Sequence, residues 1–371
     1  MKILIAPNSF KECADSSVIS KLIERNLRKY LKNNELRLVV KPISDGGDGF
    51  LSICIANFEA IIKELNISAA DNSGALKTKI AINEITGTAF IESAKILGLA
   101  MLPKNKRIPK KLNSAGLGDA ILFIKDKYPN IKKVYVGIGG TATNDMGLGA
   151  LSRLGLRVLD SNGSDIPPFP SNYDEITSFE FNKMRIPFEL VFVTDVNNPL
   201  LGENGATRIY GSQKGIKPDE YELFDNFFLK ILNLSKKNLT NIELSGAGGG
   251  IPAGISLFYD VSVMSSKEFI IGELEVDKRL NPDVIITGEG AIDEQTFMEK
   301  GIGVLLNEYP QKKFFIITGK SNIDMMKNNV KIIELSRFYS SIEESIADYE
   351  SGIQTACKEI ADDILFDRKV N

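Results

Sequence analysis

The sequence predicts an α/β chain in two parts: a doubly wound parallel sheet assembled from both chain ends, and a mixed α/β domain inserted between them. Three observations carry this expectation. At about 150 residues per domain, a length of 371 exceeds a single core. Short β-branched runs that end in glycine or a small polar residue are followed by helical periodicity, the pattern of parallel strands feeding helices. The middle of the chain breaks that rhythm with a hairpin.

Ile3–Ala6 is the first such run. Leu36–Val40 repeats it before Ser44-Asp45-Gly46-Gly47, and Val134–Ile138 repeats it before a glycine loop. Val284–Thr287, Phe314–Thr318 and Ile332–Leu335 continue the series. Lys77–Ile82 and Thr88–Glu92 flank Asn83-Glu84-Ile85-Thr86-Gly87 and fit an antiparallel hairpin better than a crossover unit. The strands at Ile3, Leu36, Val284, Phe314 and Ile332 complete a five-stranded unit from residues 1–60 and 281–371, with 61–280 as the inserted domain. Ser161–Ser171 is expected as a surface loop, because Pro167-Pro168 forbids a helix there.

Composition narrows the chemistry. With 45 basic against 48 acidic residues the net charge is −3, too weak a field to recruit nucleic acid or an anionic membrane. There is no histidine, which removes imidazole bases, Ser-His-Asp and Cys-His nucleophiles, and imidazole zinc sites. Proton transfer falls to Asp, Glu, Lys, Tyr or Cys. Cys13, Cys54 and Cys357 are far apart with no CxxC spacing, which indicates neither a disulfide framework nor a thiolate cluster. No run approaches 18 apolar residues and no secretory segment is evident, so a cytoplasmic location is expected.

Several loops carry candidate chemistry. Lys133 to Asp145 reads as a strand, a glycine-rich turn and a helix start, a combination suited to phosphate. Gly137, Gly139 and Ala142 also satisfy the loose GxGxxG/A dinucleotide fingerprint, with Asp160 at the end of a second apolar run, so an NAD-linked reading stands beside it. Thr318-Gly319-Lys320-Ser321 is not a P-loop, since Phe314 occupies the position of the first glycine; a strand-end turn is expected. Asp45 and Asp48, Asp195, and Glu289 and Asp293 sit where α/β folds bind ligands, beyond strand carboxyl ends. Each taken singly is more often a cap. Ser245–Gly250 has the composition of a second backbone cradle or a hinge, and Lys214 in GSQKG offers a cation on a turn.

The order of these loops resembles the class I glycerate kinase family. The residues that carry the resemblance are Ile5–Lys11, Pro42–Gly49, Gly137–Gly149, Asp195–Leu200, Gly211–Gly215 and Ile286–Thr296. It implies a flavodoxin-like domain built from both chain ends beside the inserted mixed α/β domain. It also implies phosphorylation of D-glycerate, to 2-phosphoglycerate, with ATP and Mg²⁺. The small-molecule partners are therefore glycerate and ATP, with no nucleic acid or membrane, and a homo-oligomer is left open. Gly139, Gly140, Thr141, Thr143 and Asn144 are expected to hold the ATP phosphates at a helix start, and Asp195 or Asp293 the metal. Lys11, with Ser9 and Lys214, would neutralise the phosphoryl group or the glycerate carboxylate, and Asp45 or Asp293 would take the hydroxyl proton. The chain has Asn8, Ala291 and Glu299 where the family usually has Asp, Arg and Gly, which implies as an alternative a catalytically weak or non-catalytic paralogue with another hydroxy-acid acceptor.

Overall fold

Each of the β-branched runs named above becomes a strand in the computed structural model, which describes residues 1–10, 13–31, 36–44, 46–236, 246–297, 301–323 and 328–370. In chain order the strands are β1 (Lys2–Ile5), β2 (Arg37–Val40), β3 (Ile61–Ser68), β4 (Ala75–Asn83), β5 (Thr88–Glu92) and β6 (Lys133–Gly137). They continue with β7 (Leu156–Leu159), β8 (Ser178–Phe181), β9 (Glu189–Thr194), β10 (Val261–Ser265), β11 (Val284–Ile292), β12 (Lys313–Ser321) and β13 (Val330–Glu334). The chain packs as two compact units. The first comprises Met1–Asp45, Ser52–Phe58 and Ser266–Asn371, and the second Gly46–Leu51 and Glu59–Ser265.

The first unit holds a five-stranded sheet ordered β13-β12-β11-β1-β2, parallel throughout. Parallel strands bury both faces, which explains why Ile3–Ile5, Val284–Ile286 and Phe314–Ile317 are uninterrupted apolar runs. On one face the helices Ser16–Tyr30 and Tyr349–Val370 bury Ile19, Ile23 and Leu27 together with Ile353, Cys357 and Ile360. Their spacing of three and four residues keeps each apolar stripe on one side. Relabelled in order of use the sheet reads 2-1-3-4-5, the flavodoxin-like order, and the strand order reverses between β1 and β11. The predicted doubly wound fold is thus borne out.

The second unit has a mixed six-stranded sheet ordered β10-β9-β6-β5-β4-β3 and a separate ribbon of β7 and β8. The expected hairpin is present as antiparallel β4 and β5. β5, β6, β9 and β10 run parallel, and the helix Ala115–Lys127 buries Leu117, Ile121 and Ile124 in the core of this unit. Pro167 and Pro168 stay out of helix, and a short 3₁₀ turn begins at Pro170.

Two local expectations change. Thr318–Ser321 is the end of β12 rather than a turn, and its glycine serves close pairing with β11, since a Cβ on Gly319 would lie 2.5 Å from the Gly290 carbonyl oxygen. The dinucleotide reading fails on topology. The strand before Asp160, β7, pairs with β8 and not with β6, and the Asp160 carboxylate accepts the main-chain N–H groups of Asn162 and Ser164, both at 2.8 Å, as a turn.

Candidate active site

The loop after β6 is built on other glycines before it can meet any ligand. A Cβ on Gly139 would lie 2.6 Å from the Gly47 Cα, and the Gly139 N–H donates to the Gly46 carbonyl at 3.1 Å. The Ile138 N–H goes to the Val193 carbonyl and the Ala142 N–H to the Leu97 carbonyl. Gly139, expected as a phosphate donor, is therefore a contact between two glycine loops, and its N–H is already engaged. Gly140 is exposed, with φ of +69°, a conformation that favours glycine. The N–H groups of Gly140, Thr141, Thr143 and Asn144 donate to nothing among the described residues.

The expected helix start is also corrected. The helix begins at Leu148, four residues past Asn144, and its opening amides face a side chain of the protein. Asp145, fully buried, accepts the N–H groups of Gly147 (3.2 Å) and Gly149 (3.0 Å), and both the N–H and the hydroxyl of Ser114 at 2.7 Å. Burial pushes its pKa up while these four donors hold it down. Asp145 ties the loop to the start of the helix Ala115–Lys127.

Against this loop lies the helix Ala206–Lys214. Residues 207 and 214 are seven apart, about two turns, so Thr207 and Lys214 share one face. Both are buried. The Lys214 ammonium donates to the Thr143 carbonyl at 2.7 Å and to the Thr141 hydroxyl at 3.4 Å. Burial brings its pKa down to about 7, opposed by the negative charge of Asp145. Among the described residues no carboxylate forms an ion pair with it. The turn expected at GSQKG is instead a helix end capped by Gly215 in the left-handed conformation at φ +99°, where a Cβ would also meet the Arg107 carbonyl oxygen at 2.3 Å.

The Asn144 amide nitrogen donates to the Thr207 hydroxyl at 3.1 Å. The Thr143 hydroxyl and the Asn144 carbonyl oxygen are buried and find no partner among the described residues. Behind them run Gly248, Gly249 and Gly250, all at positive φ; a Cβ on Gly249 would lie 2.3 Å from the Thr143 carbonyl oxygen. The glycine run expected as a second cradle does cradle something, namely the first loop.

Asp195 follows Thr194 at the carboxyl end of β9, beside β6 in the sheet. In the first unit Ser9 and Asp293 follow the neighbouring strands β1 and β11, at the point where strand order reverses. Ser9 is nearly buried and donates its N–H to the Asn8 side-chain oxygen at 2.8 Å, a contact that an Asp at position 8 would make equally. One Asp293 oxygen accepts the Thr296 N–H at 3.1 Å, capping a 3₁₀ turn, and the residue remains exposed. Lys11 and Asp45 lie outside the described residues.

The sequence reading missed Glu92 and Thr207. Glu92, 2% exposed at the end of β5, accepts the Gly49 N–H at 3.2 Å and the Leu51 N–H at 2.8 Å, with the Lys95 ammonium at 3.5 Å. Its pKa is raised by burial, with Lys95 opposing. It anchors the segment that carries Gly46 and Gly47. The signal was a carboxylate closing an otherwise buried strand. A cavity of about 560 Å³ in the same unit, lined by Arg185, Phe188, Leu190 and Tyr259, lies at the amino end of β9, the wrong end for α/β chemistry.

The groups at the loop are consistent with phosphate chemistry: four N–H donors and a hydroxyl without partners among the described residues, and a buried ammonium without a counter-ion among them, suit a polyanion. For Mg²⁺, the described residues offer no cluster of three ligating side chains. A single carboxylate such as Asp195 fits the mode in which one or two carboxylates share the ion with substrate phosphates.

Comparison with known proteins agrees with this chemistry. The family model for the glycerate kinase family matches residues 3–365. A glycerate 2-kinase of Escherichia coli strain K12 is 32% identical over 312 residues, covering 81% of this chain and 80% of that protein. A glycerate kinase of Halalkalibacterium halodurans is 31% identical over 306 residues, covering 80% and 79%. A crystal structure assigned as glycerate kinase 2 from Salmonella typhimurium LT2 superposes with a TM-score of 0.83 at 25% identity, covering 100% of this chain and 99% of that one. The resemblance read from the motifs is borne out: the chain belongs to the glycerate kinase family and is a kinase, a phosphotransferase with an alcohol acceptor.

Proposed function

We propose that the chain transfers the γ-phosphoryl group of Mg-ATP to D-glycerate, giving 2-phosphoglycerate and ADP. The observation that carries this reading is Lys214: a buried ammonium with no ion-pair partner among the described residues, braced on the Thr141–Thr143 turn. A buried charge costs several kcal/mol unless paired, so an anionic ligand is its natural complement. The family supplies the reaction class, and the residues supply the roles.

The N–H groups of Gly140, Thr141, Thr143 and Asn144 bind phosphate oxygens, with Gly139 shaping the loop. Asp195 holds Mg²⁺, which when bound neutralises charge on the transferred group. Lys214 balances the phosphate or glycerate anion. Ser9 and Lys11 follow β1 and bind the acceptor, and Asp45 or Asp293 takes the proton as the glycerate hydroxyl oxygen bonds to phosphorus and the bond to ADP breaks. None of these steps needs a histidine.

The test is ADP release by the purified protein on mixing D-glycerate with Mg-ATP, with phosphorus NMR of the product to separate the 2- from the 3-phosphate. Lys214→Met is expected to lower turnover by about a hundredfold or more, on the scale of losing one preorganised charge. Near-normal turnover in that variant removes Lys214 from the mechanism. Release with another hydroxy acid but not with glycerate establishes the alternative acceptor.

A further inference from the structure

The helix Ala206–Lys214 touches the nucleotide loop through a second polar residue. Thr207 is completely buried and accepts a hydrogen bond from the Asn144 amide nitrogen at 3.1 Å. A hydroxyl oxygen can accept as well as donate, and here its lone pair takes the NH₂ of the Asn144 amide. Its carbonyl oxygen turns to Gly249, where a Cβ would lie 3.0 Å away.

The Asn144 side chain is thus gripped on two sides, by Thr207 and by the glycine run. Its main chain carries one of the N–H groups left unpaired, next to that of Thr143. We propose that Thr207 is a positioning residue for phosphoryl transfer: its buried hydroxyl clamps the Asn144 amide and fixes the Thr143–Asn144 main chain in the geometry that receives the nucleotide phosphates. The proposal rests on the reading of this loop as the nucleotide site. Thr207 touches no substrate; it acts through Asn144.

Thr207→Val keeps the shape and removes the acceptor, whereas Thr207→Ser keeps the hydrogen bond from Asn144. The Val variant is expected to raise the nucleotide KM about tenfold or more and to leave the glycerate KM within about twofold, on the scale of one buried hydrogen bond. Ser restores the wild-type value. Calorimetric binding of a non-hydrolysable ATP analogue to the full chain gives the same comparison without turnover. A purely structural Thr207 would lower the melting temperature of the Val variant and leave nucleotide affinity unchanged; that result overturns the proposal while the kinase reading stands. Equal weakening by Val and Ser also overturns it. If the wild-type protein does not bind the analogue at all, the reading of the loop fails and the proposal with it.

Discussion

At the scale of single residues, the site is governed by what is buried without its opposite charge. Burial brings the Lys214 pKa down from its ordinary 10.5 to about 7, because its ammonium has lost water and its partners among the described residues are a carbonyl and a hydroxyl. Between those two values the unfolded chain binds a proton that the folded chain does not. Stability of the ligand-free protein therefore rises with pH through that window, and below about 7 both states are protonated and the full cost remains. Urea midpoints measured from pH 7 to pH 10 are expected to climb more steeply in wild type than in Lys214→Met. Equal slopes would show that the group is solvated. Such a residue was half legible. The GSQKG motif marked Lys214 as a ligand for an anion, but its burial depends on Thr141 and Thr143, some seventy positions away, and no local pattern reports that.

At the scale of elements, strands were easier to read than loops, because β-branched runs buried on both faces leave an unambiguous signature. All five strands of the parallel sheet and the β4–β5 hairpin were expected where they occur. Their ends were not. β11 continues to Ile292 through Gly288 and Gly290, residues that read as a turn, yet a Cβ on Gly288 would lie 2.2 Å from the Ile317 carbonyl of β12. Glycine there serves close strand contact. The same ambiguity applied to Gly139, whose role is set by Gly47, a neighbour distant in sequence. Gly249 permits a direct test. Gly249→Ala adds a methyl group 2.3 Å from the Thr143 carbonyl at φ +74°, whereas Gly163→Ala adds one at φ +77° with nothing within 4 Å. Both incur the left-handed cost of about 1–2 kcal/mol. Only the first should also push the Thr143–Asn144 main chain aside, so nucleotide affinity is expected to fall in Gly249→Ala and hold in Gly163→Ala. Equal affinities in the two variants would mean that the glycine run does not support the loop.

At the scale of the whole molecule, each unit has its own apolar centre: Ile3, Ile286 and Phe315 in one, Ile91, Val136 and Phe192 in the other. Separate cores favour separate cooperative transitions. Scanning calorimetry of the ligand-free protein is expected to give a total enthalpy larger than the van't Hoff value of a single step; agreement of the two would show one cooperative block. The division is nevertheless not a clean cut along the chain. Gly46–Leu51 belongs with the second unit although the residues on either side of it belong with the first. A gene fragment starting at Glu59 would leave the Glu92 carboxylate without the amides of Gly49 and Leu51, and Gly139 without the backbone it rests on. The inserted half is thus not a portable module: six residues borrowed from upstream are part of its floor, and a fragment that is to keep the loop after β6 in shape must carry them along.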